Sequence, residues 1–378
     1  MRSGRRFELV SPVLPRADDL LPEIEEALAT KRLSNNGPFV QRLERAMEEV
    51  LGVPDAVATS SCTLGLIVAM RALGWRGEVI SPSFSFPASA HAITWAGCTP
   101  VLAEVDPDTW LLDSESVARL VGPATAGILA VDLFGLPVDL AALRAAAGSV
   151  PILVDAAHSF GSTRAEAAPP DAAVYSLHAT KTIAAGEGGL VCVTQAEPAA
   201  RVRRLINFGF EHESYDCGEV GTNAKLPELS AILAYHQIDG APSVTEGRRR
   251  WDAAYRAALG DVRGIRFQAL PENRRSNHEF SVIGIDAERF GRSRDEVLAA
   301  LLEQGIVAKP YFSPPIHAMR CYVGKLRCDD LRITEALSNA ALCLPVHPDE
   351  PDSAATAVAD QIRSLARPPA SAAASGRS

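Results

Sequence analysis

The stretch DAAVYSLHATKTIAAGEGG, Asp171–Gly189, decides how the chain is read. Its first half, AAVYSL, is a short apolar run of the kind that forms a buried strand. The run passes through Ser176, and Lys181 then stands ahead of AAGEGG, where glycines let the backbone approach a neighbour closely. A lysine there has two readings. It is either an ordinary solvated ammonium, or a sheltered amine whose lowered pKa suits it to act as nucleophile or base.

Working outward, AVATS, EVISP, TPVLAEV, AGILAVDLF and PILVDAA read as further strands. Between them, stretches such as LGLIVAMRALG and PASAHAITWAG carry apolar residues at helical spacing. This alternation predicts an α/β fold, with a mostly parallel central sheet flanked by helices. Ligands of such sheets sit at the carboxyl ends of the strands. Upstream, NNGPFVQRLERAMEEVLG reads as an amphipathic helix with proline near its start and glycine at its end. Downstream, EGRRRWDAAYRAALG reads as a basic helix, FSVIGID as a strand and SRDEVLAALLEQGI as a helix. The expected division is a large domain over 1–240, a smaller C-terminal α/β domain over 241–368, and a disordered Pro- and Ala-rich tail over 369–378.

The 378 residues are 47% hydrophobic and 22% charged, enough apolar material for a substantial core. A net charge of −9 argues against nucleic-acid binding, so an anionic ligand has to be held by local donors. Seven cysteines, with no CxxC pair, disfavour structural zinc and a disulfide framework, so no metal is expected. A reducing cytoplasm is the expected setting. The start has no apolar core of signal-peptide length, and no run reaches the roughly 18–20 residues of a membrane span.

The polar residues at the strand ends carry the chemistry. Asp155 follows PILV, with His158 three residues on. Alone, the pair reads as a turn aspartate and a core histidine, or as a carboxylate fixing the protonation of a bound heterocycle. In ATSSCTLGL a strand gives way to a helix start. Ser61 and Thr63 there either cap the helix or, with its free N–H groups, cradle a phosphate. Phe86, in SPSFSFPASA, is either core or a stacking face for a planar ligand. A phosphorylated pyridine cofactor needs an amine for its aldehyde, a carboxylate for its ring nitrogen, a phosphate cradle and a stacking face. Lys181, Asp155, Ser61 and Thr63 with Ser176, and Phe86 supply all four.

With these residues in hand, the chain resembles the DegT/StrS family of pyridoxal-phosphate nucleotide-sugar aminotransferases. The likeness runs from SNNGPFVQRLE to LCLPVHPDE, through TSSCTLGL, SPSFSFPAS, VDAAHSFGS, SLHATKTIAAGEGG and GTNAKLPELSA. It implies an aspartate aminotransferase-like fold type I and pyridoxal 5′-phosphate as cofactor. Lys181 would bond the cofactor and shuttle the proton, Asp155 would pair with the ring nitrogen, and His158 would sit near O3′. Ser61, Cys62, Thr63 and Ser176 would hold the phosphate, and Phe86 would stack on the ring. Asn223 would reach the phosphate in the other subunit of a homodimer. Lys225, Tyr311 and His317 would meet the substrate. The family's usual Ser-Gly-Thr is Ser61-Cys62-Thr63 here, and Lys225 stands where arginine is common.

The resemblance further implies transfer of an amino group from L-glutamate to dTDP-4-keto-6-deoxy-D-glucose, giving the 4-amino-4,6-dideoxy sugar. Amination at C3 of a 3-keto nucleotide-sugar, or of a keto-cyclitol, is the alternative on the same scaffold. A sugar dehydratase or a non-transaminating cofactor-binding protein is the alternative of another class. Dehydratases of the family carry histidine where this chain has Lys181.

Overall fold

The computed structural model describes residues 6–165, 169–211 and 215–366, so the tail expected over 369–378 lies outside the described residues. Seven strands follow one another through the first half of the main sheet's chain: β1 (Asp55–Thr59), β2 (Glu78–Pro82), β3 (Thr99–Ala103), β4 (Thr125–Val131) and β5 (Ile152–Asp155), then, past a two-residue strand β6 (Thr163–Arg164), β7 (Ala172–Ser176) and β8 (Gly189–Val193). The C-terminal part adds β9 (Ile265–Phe267), β10 (Arg274–Arg275), β11 (Ser281–Ile285), β12 (Arg327–Cys328) and β13 (Ala341–Leu344).

The central sheet has the order β1-β8-β7-β5-β4-β2-β3-β12. Strands β7, β5, β4, β2, β3 and β12 run parallel, while β8 is antiparallel to both β1 and β7. The mostly parallel α/β sheet read from the sequence is therefore present. Strands β4 and β5 are Val-, Ile- and Leu-rich and almost entirely buried, as strands covered on both faces must be. Apolar clusters fill both faces. One joins Phe84, Trp110 and Phe134, and the other joins Leu66, Met70 and Trp75.

The expected helices form close to where periodicity placed them, as Cys62–Ala72, Pro87–Trp95, Ala241–Leu259 and Arg294–Glu303. The helix Pro38–Leu51 has its proline at the first position and Gly52 at its end with φ 63°, where a side chain would be strained. A second sheet, β13-β11-β9, is antiparallel and packs on Trp251 and Tyr255.

Two strands of the central sheet, β8 and β12, escaped sequence reading. LVCV of β8 is a short run behind a glycine turn, and the two residues of β12 carry no periodicity at all. Strand β8 nonetheless sets the site. It pairs Gly189 with Thr59 on one side and with Ser176 on the other. The carboxyl ends of β1 and β7 thus lie on one sheet edge, a single glycine apart. No helix among the described residues is long and apolar enough to cross a membrane.

Candidate active site

At that edge lies a cavity of about 370 Å³ lined by Ser61, Cys62, Thr63, Phe86, Asp155, His158, Ser176, Lys181 and Tyr311. Residues scattered over more than half the sequence converge there because all of them but Tyr311 follow, or end, a strand of the central sheet. Tyr311 comes from the loop after the helix Arg294–Glu303.

Lys181 stands in the turn after β7, where its N–H donates to the His178 carbonyl at 2.9 Å. Its side chain is only 12% exposed. Burial lowers its pKa, while the Glu279 carboxylate opposes that shift. Nζ lies 3.8 Å from Glu279 Oε1 and 5.6 Å from the centre of the Phe280 ring. The ordinary surface ammonium is thereby excluded.

Asp155 closes β5. Its Oδ2 accepts from Ser89 Oγ at 2.9 Å, and its Oδ1 from the Ala157 N–H at 3.2 Å. Burial pushes its carboxyl up, although Ser89, Ala157 and Lys181 pull it down. A cationic ring nitrogen alongside would oppose that rise, as such a charge does for any buried carboxylate.

His158 accepts the Phe134 N–H on Nδ1 at 3.3 Å, which leaves Nε2 as the protonated nitrogen of the neutral ring. Burial holds its pKa well below the usual value, and the Lys181 and Arg248 charges add to this. The ring lies parallel to Phe134 and edge-on to Phe280.

Ser61 is the N-cap of the helix Cys62–Ala72, accepting from the Leu64 N–H at 3.2 Å. Capping and phosphate cradling are therefore compatible. The cap uses a lone pair of Ser61, and its hydroxyl proton and the N–H groups of the first turn remain. The Cys62 thiol points instead toward the Val174 carbonyl, and burial pushes its pKa well up. Ser176 Oγ accepts the His178 N–H at 3.2 Å on the far side of Gly189. A Cβ at Gly189 would stand 2.7 Å from Cys62 N and Ser61 C, so only glycine lets β8 pass beneath the cradle.

Phe86 precedes the helix Pro87–Trp95 and is 53% exposed, with its ring edge-to-face with Phe312. An aromatic left that open at a cavity rim is not core. Tyr311 lies flat on Phe312, and burial raises its phenol.

Three of the expected site residues stand apart from the cavity. His317 Nδ1 bonds Ser83 Oγ at 2.8 Å and its Nε2 lies 3.5 Å from Glu335. Lys225 donates to Asn207 Oδ1 at 3.0 Å and sits over the Phe208 ring, with its pKa lowered by partial burial. Asn223 is exposed, in a bridge to Asn207. Sequence reasoning passed over His178 and Phe280, which line the cavity, and Glu279 behind Lys181. The available signal for Glu279 was a carboxylate in NHEFSVIGID, immediately ahead of an apolar strand.

An amine, a buried carboxylate, a helix N-terminus flanked by hydroxyls, and an open aromatic face fit pyridoxal phosphate as a donor set. Comparison with known proteins agrees. The model of the DegT/DnrJ/EryC1/StrS aminotransferase family matches residues 16–363. The chain is 31% identical over 344 residues to a dTDP-4-amino-4,6-dideoxy-D-glucose transaminase of Shigella dysenteriae, covering 90% of this chain and 93% of that protein. It is likewise 31% identical to the Escherichia coli transaminase of the same name, covering 92% and 95%. The crystal structure of DesI with its TDP-sugar product superposes with a TM-score of 0.88 at 37% identity, covering 95% of this chain and 92% of that one. With its buried lysine, its buried carboxylate and a helix N-terminus flanked by hydroxyls on one sheet edge, this chain belongs to the DegT/DnrJ/EryC1/StrS aminotransferase family, pyridoxal-phosphate-dependent enzymes of fold type I.

Proposed function

We propose that the chain aminates C4 of dTDP-4-keto-6-deoxy-D-glucose, giving dTDP-4-amino-4,6-dideoxy-D-glucose, with L-glutamate as donor and 2-oxoglutarate as the second product. The observation that carries this is the joint presence of Lys181 and Asp155 in one cavity of a chain that is 31% identical to two transaminases named for that amino sugar.

Pyridoxal phosphate, when bound, supplies an aldehyde for the amine and a ring that takes up electrons as a C–H bond breaks. The chain's own groups do the rest. Asp155, whose carboxylate Ser89 and the Ala157 N–H keep in orientation, would hold a proton on the cofactor's ring nitrogen. The first turn of the helix Cys62–Ala72, with Ser61, Thr63 and Ser176, would bind the phosphate. Phe86, at the cavity rim, would offer its face to the ring. Lys181 Nζ takes and returns the proton, a role suited by the burial that lowers its pKa toward the working range. His158, neutral with its proton on Nε2, donates without adding charge beside that amine.

We further propose a homodimer in which Asn223 and Lys225, both outside this chain's own cavity, serve the partner's site. Their exposure and half-exposure in one loop support this reading. All seven cysteines are free thiols, which suits a reducing cytoplasm.

The test is incubation with glutamate and a panel of 4-keto and 3-keto nucleotide-sugars, locating the new C–N bond by NMR. Amination at C4 is expected, and amination at C3 overturns the substrate assignment.

A further inference from the structure

Behind Lys181, away from the groups that suit the cofactor, lies a second carboxylate. Glu279 is buried with 1% of its side chain exposed, just ahead of β11. Arg248, from the helix Ala241–Leu259 and itself 2% exposed, donates to Glu279 Oε2 and to Thr182 Oγ1, and Thr182 Oγ1 donates to the same Oε2. The Glu279 N–H is fixed by Asn277 Oδ1 at 2.9 Å, and Asn277 Nδ2 in turn donates to the Phe160 carbonyl at 2.8 Å. Every part of this carboxylate is held except Oε1, which is buried without a hydrogen bond.

The cation facing Oε1 is Lys181 Nζ, at 3.8 Å. That is too long for a hydrogen bond and short enough for a modest side-chain rotation to make one. A buried acceptor left open is unfavourable unless another state of the protein fills it. The proposed reaction has such a state. Lys181 spends part of each cycle bonded to the cofactor and part as a free amine. Glu279 does not line the cavity, so substrate meets it only through Lys181.

We propose that Glu279, clamped by Arg248 and Thr182, is the positioning residue for Lys181, docking the lysine's free ammonium on Oε1 whenever that side chain is not bonded to the cofactor. The inference rests on the assignment of Lys181 as the cofactor lysine. The Glu279 and Asp155 carboxylates favour the charge on Nζ and Arg248 opposes it, the Phe280 ring face favours it, and the nearby Cys62 thiol and His158 ring are held neutral by burial. Removing the Glu279 charge therefore makes the free amine easier to deprotonate.

The test is reductive methylation of the full-length protein loaded with pyridoxamine phosphate, reading the pH midpoint of Lys181 labelling by mass spectrometry. Glu279→Gln is expected to lower that midpoint by about one pH unit, or about tenfold more labelling at a fixed pH below it. Because Glu279→Gln leaves a buried arginine unpaired, Arg248→Met/Glu279→Gln serves as a second variant that removes both charges. It is expected to lower the midpoint by a smaller amount. A midpoint unchanged or raised in either variant overturns the proposal. Wild-type protein loaded with pyridoxal phosphate is the control for the underlying assignment. Lys181 is expected to be protected there, and labelling of Lys181 in that sample overturns its role as cofactor lysine, whatever the variants do.

Discussion

At Asp155 and His158 the same burial has opposite consequences, because one side chain ionises by losing a proton and the other by gaining one. In the proposed reaction Asp155 serves only while ionised beside a cationic ring. Asp155→Asn is expected to retain the fold and lower kcat by about a hundredfold or more, the usual loss when a charge aimed at a reaction centre is removed. The measurement is kcat beside a thermal melt. His158 has its pKa depressed well below 6.5 in the folded chain. The unfolded chain therefore binds the extra proton first, and stability falls as pH drops below about 6.5, by up to about 1.4 kcal/mol per pH unit. Urea melts at several pH values are expected to show that slope in wild type and a shallower one in His158→Gln. The difference between the two isolates the histidine from the opposing contribution of Asp155. Both residues were legible in the sequence as polar groups after an apolar run. Their states were not, since burial and the Phe134 N–H come from segments outside the motif, the latter from the turn after β4.

Among the elements, the pairing of β8 between β1 and β7 does most to build the site. It sets Ser61 and Ser176 on either side of Gly189, and the space there admits no side chain. Gly189→Ala is expected to displace the start of the helix Cys62–Ala72, weaken cofactor binding and cost about 1–3 kcal/mol of stability. Cofactor titration and a thermal melt check it. A variant that melts like wild type and binds the cofactor as tightly contradicts that packing. Helices and parallel strands were legible here from apolar spacing, the proline of Pro38–Leu51 and the glycine that ends it. The direction of β8 was not, because a four-residue apolar run reads the same in either sense. Nor was β12, whose two residues come from the far C-terminal part to pair with β3. His317 and Lys225 illustrate the matching limit for the site. Each belongs to a recognisable segment, yet a hydrogen bond to Ser83 or Asn207 decides where the side chain ends up.

For the whole molecule, the exposed Asn223 loop has a bearing on assembly. Trp95 and Val220 are 78% and 77% exposed and line a groove with Thr63, Leu64 and Ile67, on the helix whose start is the proposed phosphate cradle. If a partner's Asn223 completes each site, Lys181→Ala and Asn223→Asp are each impaired alone and complement one another when subunits exchange. A mixed dimer then pairs the intact Lys181 of one chain with the intact Asn223 of the other. Mixing equal amounts is expected to restore roughly a quarter of wild-type activity, as random pairing in a two-fold dimer dictates. No restoration contradicts a shared site.

The central claim, that Lys181 is the amine bonded to pyridoxal phosphate in this cavity, is open to one direct measurement. Reconstituted protein is expected to absorb at about 400–430 nm, as protein-bound pyridoxal phosphate does when joined to a lysine. Borohydride reduction then fixes the carbon–nitrogen bond, and peptide mass spectrometry locates it. The pyridoxyl group is expected on Lys181 and to be absent from Lys181→Ala, whereas a pyridoxyl group on another lysine, or none on Lys181, contradicts the claim.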